Sequence, residues 1–386
     1  MMSQALLSAF EQVFWWTVPF LVVLGVVVVV HELGHFLAAR ALGVTVETFS
    51  IGFGPEIAGF YDKRGTRWRV AWIPLGGYVK FKGDENVASL PSAEQLEKLT
   101  PAQRQGNFHT APLWRRTLIV LAGPFANFVL GVVIFTGIVL ATGIVYQKTI
   151  IQCVEPGTPA AQAGLKAGDR ILAVNRQPVK NFEDFSSYIM LNARSPINIE
   201  IEREGKPMNV RAVPELTEGD CVGRLGVVGS TNPEGTRVEN AGLASAVGEG
   251  FSRTWRIIEG PFQFFGQLFR GNACASSLGG PVKIAEVSKK FASQGFVNLI
   301  PLIAFISVSV GLLNLFPIPV LDGGHLLFYG AEAILGRPLN QRAQEIGFQF
   351  GFILLLVLIV FVTWNNIADL SRGRPPSKNI ESVCRR

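Results

Sequence analysis

Charged residues are scarce in this chain. Only 17% of its 386 residues are Asp, Glu, Lys or Arg, whereas a soluble globular domain carries about a quarter. Lys and Arg are absent from residues 1–39, and no small-residue cleavage site follows the first apolar run. A secretory signal peptide needs basic residues before its apolar run and a cleavage site after it. Neither is present, which argues against a signal peptide and favours a first segment that remains in the membrane.

Cysteine and histidine are also rare, with four of each. Four cysteines are too few for a disulfide-built scaffold. Cys153 and Cys221 bracket a predicted domain, where they could form an oxidised pair or remain two separate buried thiols. The net charge of +6 is not gathered in one basic domain, so no nucleic-acid partner is predicted.

Long apolar runs are plentiful. Four of them reach the length of about 20 residues that a membrane-crossing helix needs, at 18–42, 117–146, 296–320 and 346–364. Ten Lys and Arg residues lie within 44–116, so the positive-inside rule makes loop 44–112 cytoplasmic and the N-terminus external. Four spans return the C-terminus to the outside, although five basic residues in the tail favour the opposite side. The lipid bilayer is therefore the first expected partner.

The soluble segments divide the chain further. TRWRVAWIPLGGYVKFKGDE predicts a β-hairpin around Gly76-Gly77, and residues 84–111 predict a polar helix and loop. Residues 149–215 predict a small α+β domain with a second hairpin at Glu204-Gly205. Within it, AGLKAGDRILAVN resembles the core of a bacterial PDZ domain. The expected regions are 1–146, 149–215, a linker 216–295, a second membrane part 296–370 and a tail 371–386.

An aromatic stripe follows in the linker. Six apolar residues at helical spacing share one face over about 247–270, and Gly260-Pro261 should break or kink that helix: Phe251, Trp255, Ile258, Phe262, Phe265 and Phe269. Such a face suits a helix in the membrane interface, and it equally suits packing against the neighbouring domain.

HELGH at 31–35 carries the clearest chemistry. A helix projects His31 and His35 from the same face toward one metal ion, and places Glu32 to take a proton from an attacking water. Polar side chains in an apolar span are costly unless they are paired or bind a ligand. This pattern predicts one zinc ion with Glu32 as the general base.

A catalytic zinc needs a third protein ligand. Asp322 is the best candidate, because Pro317 and Pro319 interrupt the preceding apolar segment and Gly323-Gly324 permit unwinding. His109 in the polar loop and His325 near the third span are alternatives, and His325 could also support a ligand or lie at the interface.

These motifs together resemble the site-2 protease family of intramembrane zinc metalloproteases, on its bacterial RseP (regulator of sigma-E protease) branch. The resemblance rests on HELGH, GPFANF, LGGPVKIA and GLLNLFPIPVLDGGH, with a PDZ-like insert between the second and third spans. It implies an α-helical polytopic membrane protein with four transmembrane helices, a membrane-associated β-hairpin and a small PDZ-like domain. It also implies that His31, His35 and Asp322 bind zinc and that Glu32 is catalytic.

The resemblance further implies regulated cleavage of single-span membrane proteins in the bacterial inner membrane, with an anti-sigma factor and remnant signal peptides as substrates. The PDZ-like domain is expected in the periplasm, where it would bind a peptide tail or exclude bulky substrates. Members of that branch commonly carry two PDZ domains. Only one is found here, which indicates a single-domain homologue or a shortened chain.

Substrate contacts are expected at two places. An edge strand at Gly76, Gly77, Tyr78, Val79 and Lys80 could capture an unwound substrate by strand addition, or it could be a plain cytoplasmic hairpin. Asn314 would hold the substrate backbone according to the resemblance, or form an interhelical hydrogen bond. Asn127 in GPFANF is interpreted as structural. A secondary transporter and a non-catalytic membrane adaptor are the competing classes.

Overall fold

The computed structural model describes residues 2–84, 98–147, 149–179, 181–217, 222–229, 236–271, 281–337 and 339–371. Three of the four cysteines, Cys221, Cys274 and Cys384, lie outside these ranges. So do segment 85–97 of the predicted polar loop and nearly all of the predicted tail.

The described chain combines long helices with short strands. Its α-helices are α1 Met2–Ala41, α2 Pro101–Arg104, α3 Leu113–Thr142, α4 Pro159–Gln162, α5 Phe182–Leu191, α6 Leu243–Phe269, α7 Pro281–Ser293, α8 Leu299–Asn314, α9 Asp322–Leu335 and α10 Gln341–Ser371. Its strands are β1 Val46–Tyr61, β2 Arg67–Phe81, β3 Ile144–Gln147, β4 Ile151–Val154, β5 Arg170–Val174, β6 Gln177–Pro178, β7 Ile197–Arg203, β8 Lys206–Ala212, β9 Glu215–Leu216, β10 Gly223–Arg224, β11 Val227–Gly229 and β12 Thr236–Glu239.

Within the described ranges, four segments are long and apolar enough to cross a membrane, which agrees with the predicted number: Val13–Ala41, Leu113–Thr142, Phe296–Asn314 and Arg342–Trp364. Two predicted ends are wrong. The second span stops at Thr142, because Gly143 adopts a φ of +76° and the chain continues as β3, paired with β12. The third stops at Asn314, before Pro317. The chain is a multi-pass membrane protein with some β structure.

The described chain forms two compact units. The first contains residues up to Phe135, Gly250–Ile258 and Lys283–Phe361, and the second contains Thr136–Glu249 and Glu259–Val282 with the remaining C-terminal part. The first holds four long apolar segments and the long hairpin β1–β2. The second holds most of the short strands.

The hairpin β1–β2 turns at Asp62, and the predicted turn at Gly76-Gly77 is wrong. The Asp62 carboxylate accepts hydrogen bonds from the backbone N–H groups of Arg64 and Thr66, and Gly65 takes the left-handed conformation that closes the turn. Gly76 and Gly77 instead lie inside β2. There the strand folds back, so that residues 46–51 of β1 pair with 77–81 and residues 48–51 also pair with 67–70.

Aromatic packing fixes this hairpin on α1. Phe36 of α1 contacts Phe49 and Trp68, with ring centroids 5.5 and 4.9 Å away. Arg40 forms an ion pair with Asp62, which also accepts a hydrogen bond from Trp68 Nε1 at 3.0 Å. Burial opposes ionisation of this carboxyl group, but the hydrogen bonds it accepts lower the pKa of Asp62 below its usual value.

The second unit is built on a four-stranded antiparallel sheet in the order β6-β5-β7-β8. Ile197, Ile199 and Ile201 alternate along β7 and are almost fully buried against Phe185 of α5. β7 and β8 meet at Glu204-Gly205, as predicted, and both residues have positive φ.

This unit extends past the predicted boundary at residue 215. β11 pairs with β4, and Leu225 is buried in the same core, so residues 223–229 belong to the unit and not to a linker. Strands of two or three residues are too short to show a recognisable alternation of apolar and polar side chains. Cys153 in β4 is disulfide-bonded, so the alternative of a free thiol at this residue is wrong.

The aromatic stripe lies on α6. This helix continues through Pro261, so of the predicted break or kink the break is wrong. Phe251 and Trp255 stack with centroids 6.4 Å apart, and Phe262 and Phe269 are more than half exposed. One helical face is thus rich in aromatic residues from Phe251 to Phe269.

Asp169 anchors the sheet of the second unit. This carboxylate is 1% exposed and accepts hydrogen bonds from Arg203 Nε and Nη2, both at 2.7 Å, and from the Lys166 N–H at 2.8 Å. Burial alone would raise its pKa, but the three hydrogen bonds hold the pKa of Asp169 below its ordinary value. The stabilisation is therefore complete above the unfolded-state pKa of about 3.9 and is lost as the pH falls through the folded-state pKa.

Asp169→Asn should speed amide hydrogen exchange in β5 and β7 about 30-fold at pH 7, equivalent to about 2 kcal/mol from lost charged hydrogen bonds. The difference from the unmodified chain should shrink below about pH 4. Glu202→Gln is the control, because the Arg170–Glu202 pair is exposed and contributes little. Equal protection of the Asp169→Asn and unmodified chains at pH 7 would contradict a stabilising role for this carboxylate.

Candidate metal centre

The HELGH segment lies in the C-terminal half of α1, where the helix packs against the hairpin and α3. His31 and His35 are one helical turn apart and both are buried. Their Nε2 atoms are 3.2 Å apart. Two ring nitrogens this close need a proton or a cation between them.

Asp322 completes the cluster. Its Oδ2 atom lies 3.1 Å from His31 Nε2 and 3.4 Å from His35 Nε2, and this buried oxygen has no aligned hydrogen-bond donor among the described residues. Ligand atoms around a tetrahedral zinc ion with bonds of about 2.0–2.2 Å are about 3.3–3.6 Å apart. The three measured separations agree with that geometry within a few tenths of an ångström. The described residues thus provide one three-donor set, and it fits a zinc ion.

The turn that carries Asp322 is closely packed and strained. Val320 has a φ of +101°, which a β-branched residue rarely adopts. A Cβ atom at Gly323 would lie 2.1 Å from the Phe316 carbonyl oxygen, and one at Gly324 would lie 2.5 Å from that of Ile318. The two glycines begin the helix α9 and do not unwind it, which corrects the prediction. Their role is to let this helix press onto the preceding backbone.

The last span supports the same turn. A Cβ atom at Gly351 of α10 would lie 2.2 Å from the Pro319 carbonyl oxygen, so α10 touches the turn backbone directly. Gly347, one helical turn earlier, lies against the ring of Phe328. Close approach at two glycines four residues apart is typical of packing between membrane helices.

Glu32 faces the second half of β2. Its carboxylate lies close to the backbone of Val79. A Cβ atom at Gly77 would lie 3.4 Å from Glu32 Cγ and 2.7 Å from the Ser50 carbonyl oxygen. The strand from Gly77 to Val79 therefore runs along the helix face that carries the glutamate.

The other predicted substrate contacts have separate surroundings. Gly76 adopts a φ of +120° beside the ring of Phe53, which stacks on Tyr78 at a centroid distance of 6.1 Å. Asn314 donates a hydrogen bond from Nδ2 to the Val310 carbonyl of its own helix, at 3.1 Å, rather than to another helix.

The two alternative histidine ligands lie outside the donor set. His109 Nε2 is 2.8 Å from Asp84 Oδ1, and the pair closes the base of the polar loop. His325 packs against the rings of Tyr329 and Phe348. Burial lowers the pKa of His325, which keeps its imidazole neutral.

Two residues of the GPFANF segment touch the histidines, although the sequence favoured a structural role. A Cβ atom at Gly123 would lie 2.2 Å from His35 Nε2, and the Asn127 side chain is 3.2 Å from His31 Nδ1. The spacing of these two residues could have identified them from the sequence. Gly123 and Asn127 are four residues apart, as His31 and His35 are, and Asn127 is a polar residue in an apolar span.

Paired imidazoles and a carboxylate, converging on one point beside a glutamate in a multi-pass protein, are typical of membrane-embedded metallopeptidases. Comparison with known proteins is in agreement, since the model of Peptidase family M50 matches residues 19–358. The chain belongs to this family, the site-2 proteases, and is a zinc metalloprotease.

Relatives cover nearly the whole chain. A chain of Rhizobium meliloti whose name describes a zinc metalloprotease is 41% identical over 360 residues, which is 91% of this chain and 96% of the relative. The protein named metalloprotease MmpA from Caulobacter vibrioides is 40% identical over 377 residues, covering 91% and 94% of the two chains. Family membership removes the transporter and adaptor alternatives.

Proposed function

We propose that this zinc metalloprotease cuts peptide bonds within or near the transmembrane segment of single-span membrane proteins. The observation that carries the proposal is the position of the donor set. His31 and His35 lie in the candidate span Val13–Ala41, and Asp322 follows the third span by eight residues. A cut at this position requires a substrate that reaches the membrane part of the protein.

One zinc ion would be held by His31, His35 and Asp322, and its Lewis acidity would activate a water molecule and polarise the scissile carbonyl. Glu32 would accept the proton of the attacking water and deliver it to the nitrogen of the leaving amine. The position of Glu32 in α1 supports this role, because it directly follows His31, one of the three donors.

A substrate helix hides its peptide bonds in internal hydrogen bonds, so it must unwind locally before cleavage. The strand at Gly76, Gly77, Tyr78 and Val79 would bind the unwound backbone by strand addition, next to Glu32. Exposed apolar side chains along the hairpin, among them Phe60 and Trp72, support its association with lipid. Asn314 would contact the substrate after releasing its local hydrogen bond.

The second unit would be a periplasmic PDZ-like domain that binds a peptide tail or excludes bulky substrates. The disulfide at Cys153 supports a location outside the cytoplasm, because such bonds persist in oxidising compartments. The basic loop 44–112 would then be cytoplasmic, in a bacterial inner membrane. The proposed natural substrates are an anti-sigma factor and remnant signal peptides.

The test uses the full chain reconstituted in liposomes with a single-span substrate, and mass spectrometry locates the cut. Cleavage within or next to the span should be abolished by phenanthroline and restored by added zinc. Asp322→Ala should lose both bound zinc and activity, whereas Glu286→Gln, which changes an exposed ion pair with Lys283, should retain both. Cleavage that persists in chelator, or that occurs only in soluble peptides, would overturn the proposal.

A further inference from the structure

The second nitrogen of each histidine decides whether its Nε2 atom can bind a metal ion. His35 Nδ1 lies 2.8 Å from the Ile119 carbonyl oxygen, which can only accept a hydrogen bond. His35 therefore carries its proton on Nδ1, and a lone pair on Nε2 points into the donor set. This is the arrangement expected of a metal ligand oriented by a backbone carbonyl.

His31 has a different partner. Its Nδ1 lies 3.2 Å from Nδ2 of Asn127, an amide that is 0% exposed. An amide NH₂ group can only donate, and His31 can bind a metal through Nε2 only if its own proton lies on Nδ1, so two donors would face each other in this arrangement.

Asn127 also has an atom without a partner. Its Oδ1 is buried and receives no hydrogen bond among the described residues. The oxygen and nitrogen of an amide have nearly the same shape, and a half-turn of the side-chain amide exchanges them. After that exchange, Oδ1 faces His31 Nδ1 and can accept a proton from it.

We propose that Asn127 is a positioning residue that orients His31 for zinc by accepting the Nδ1 proton of the ring with Oδ1. The lone pair on His31 Nε2 then points into the donor set, as that of His35 does. The buried Oδ1 atom gains a partner, and three lone pairs converge on the metal.

An asparagine suits this position because its neutral amide oxygen can accept the Nδ1 proton without placing a buried charge in the membrane part. A leucine of similar shape has no acceptor. An aspartate can also accept, and its charge would strengthen the hydrogen bond.

The equilibrium affinity of the detergent-solubilised full chain for Zn²⁺ alone, measured by competition with a chromophoric chelator, tests the proposal. Asn127→Leu should weaken zinc binding about 10–100-fold, as losses of such outer partners do. Asn127→Asp should bind zinc at least as tightly as the unmodified chain. A role in packing alone would not distinguish the two replacements in this way.

Ser307→Ala is the matched control. Ser307 Oγ donates to the backbone carbonyl of Asn127 at 3.1 Å and does not touch the imidazole, so zinc affinity should change by less than about twofold. Thermal unfolding of the metal-free variants identifies any that fail to fold. Asn127→Ala, which also lacks an acceptor, replaces Asn127→Leu if the latter is unfolded.

The inference rests on the metal centre proposed above, and the two can fail separately. If the unmodified chain takes up no zinc, the centre is wrong. If Asn127→Leu binds zinc as tightly as the unmodified chain, or if Asn127→Asp loses affinity to the same extent as Asn127→Leu, Asn127 does not act as a hydrogen-bond acceptor for His31.

Discussion

Replacing Glu32 with glutamine is expected to lower the rate of peptide-bond cleavage about 10²–10⁴-fold, the usual contribution of a general base. Glutamine has nearly the same shape as glutamate, so it fits the same place beside Gly77 of β2. What it cannot do is take a proton from the attacking water. The loss should therefore appear in kcat, with little change in KM.

Zinc content distinguishes this effect from damage to the site. Glu32 is not among the three donors, so the Glu32→Gln chain should still bind one zinc ion with the affinity of the unmodified chain. Glu286→Gln provides the control for loss of a surface carboxylate. A Glu32→Gln chain that cleaves at the unmodified rate would refute the role of Glu32, whereas a chain that has lost zinc would show that the replacement disturbs the ligands.

The membrane helices and the donor set could be anticipated from the sequence because both depend on local patterns. Apolar runs of sufficient length have few alternatives to crossing a bilayer. The spacing of His31 and His35 needs only a helix to place both rings on one face. Asp322 required a further step, since its proximity to α1 depends on packing between helices that are far apart in sequence.

What the sequence could not indicate was the geometry of close backbone approach. Gly323 was interpreted as a point of flexibility, and Gly76-Gly77 as a hairpin turn. In the structure these glycines allow close contact with neighbouring backbone or side-chain atoms. Asn127 was interpreted as structural because its partner, His31, is 96 residues away. The short strand β11 was not predicted for the same reason, because its partner β4 is far away in the sequence.

The wrong predictions share one physical cause, which is contact between elements that are far apart in sequence. The metal centre is built by contacts of the same kind. The metal ligands come from α1 and the start of α9, and the two residues that contact their second ring nitrogens, Ile119 and Asn127, come from α3. A site assembled from distant elements depends on how closely their backbones approach. The glycines at those crossings therefore control the metal centre, although they bear no functional group.

A second large effect is expected when Gly123 is replaced by alanine. A Cβ atom there would lie 2.2 Å from His35 Nε2 and 2.5 Å from Cε1, far inside contact distance. The ring cannot move aside without losing the Nδ1 hydrogen bond to Ile119, so either the ring rotates away from the metal or α1 and α3 separate. Both responses remove a ligand, and zinc affinity and proteolysis should fall together, by at least about 100-fold.

The same helices provide the controls. A Cβ atom at Gly25 of α1 or at Gly137 of α3 would meet no atom within 4 Å, so Gly25→Ala and Gly137→Ala should leave zinc binding unchanged and, if anything, favour the helix slightly. Gly34→Ala should resemble Gly123→Ala, because its Cβ would lie 2.2 Å from the Ala122 carbonyl oxygen. Zinc titration of all four variants checks the argument. Normal zinc affinity in Gly123→Ala would mean that the contact between α3 and His35 is looser than the structure indicates, and that the ligand geometry does not depend on this crossing.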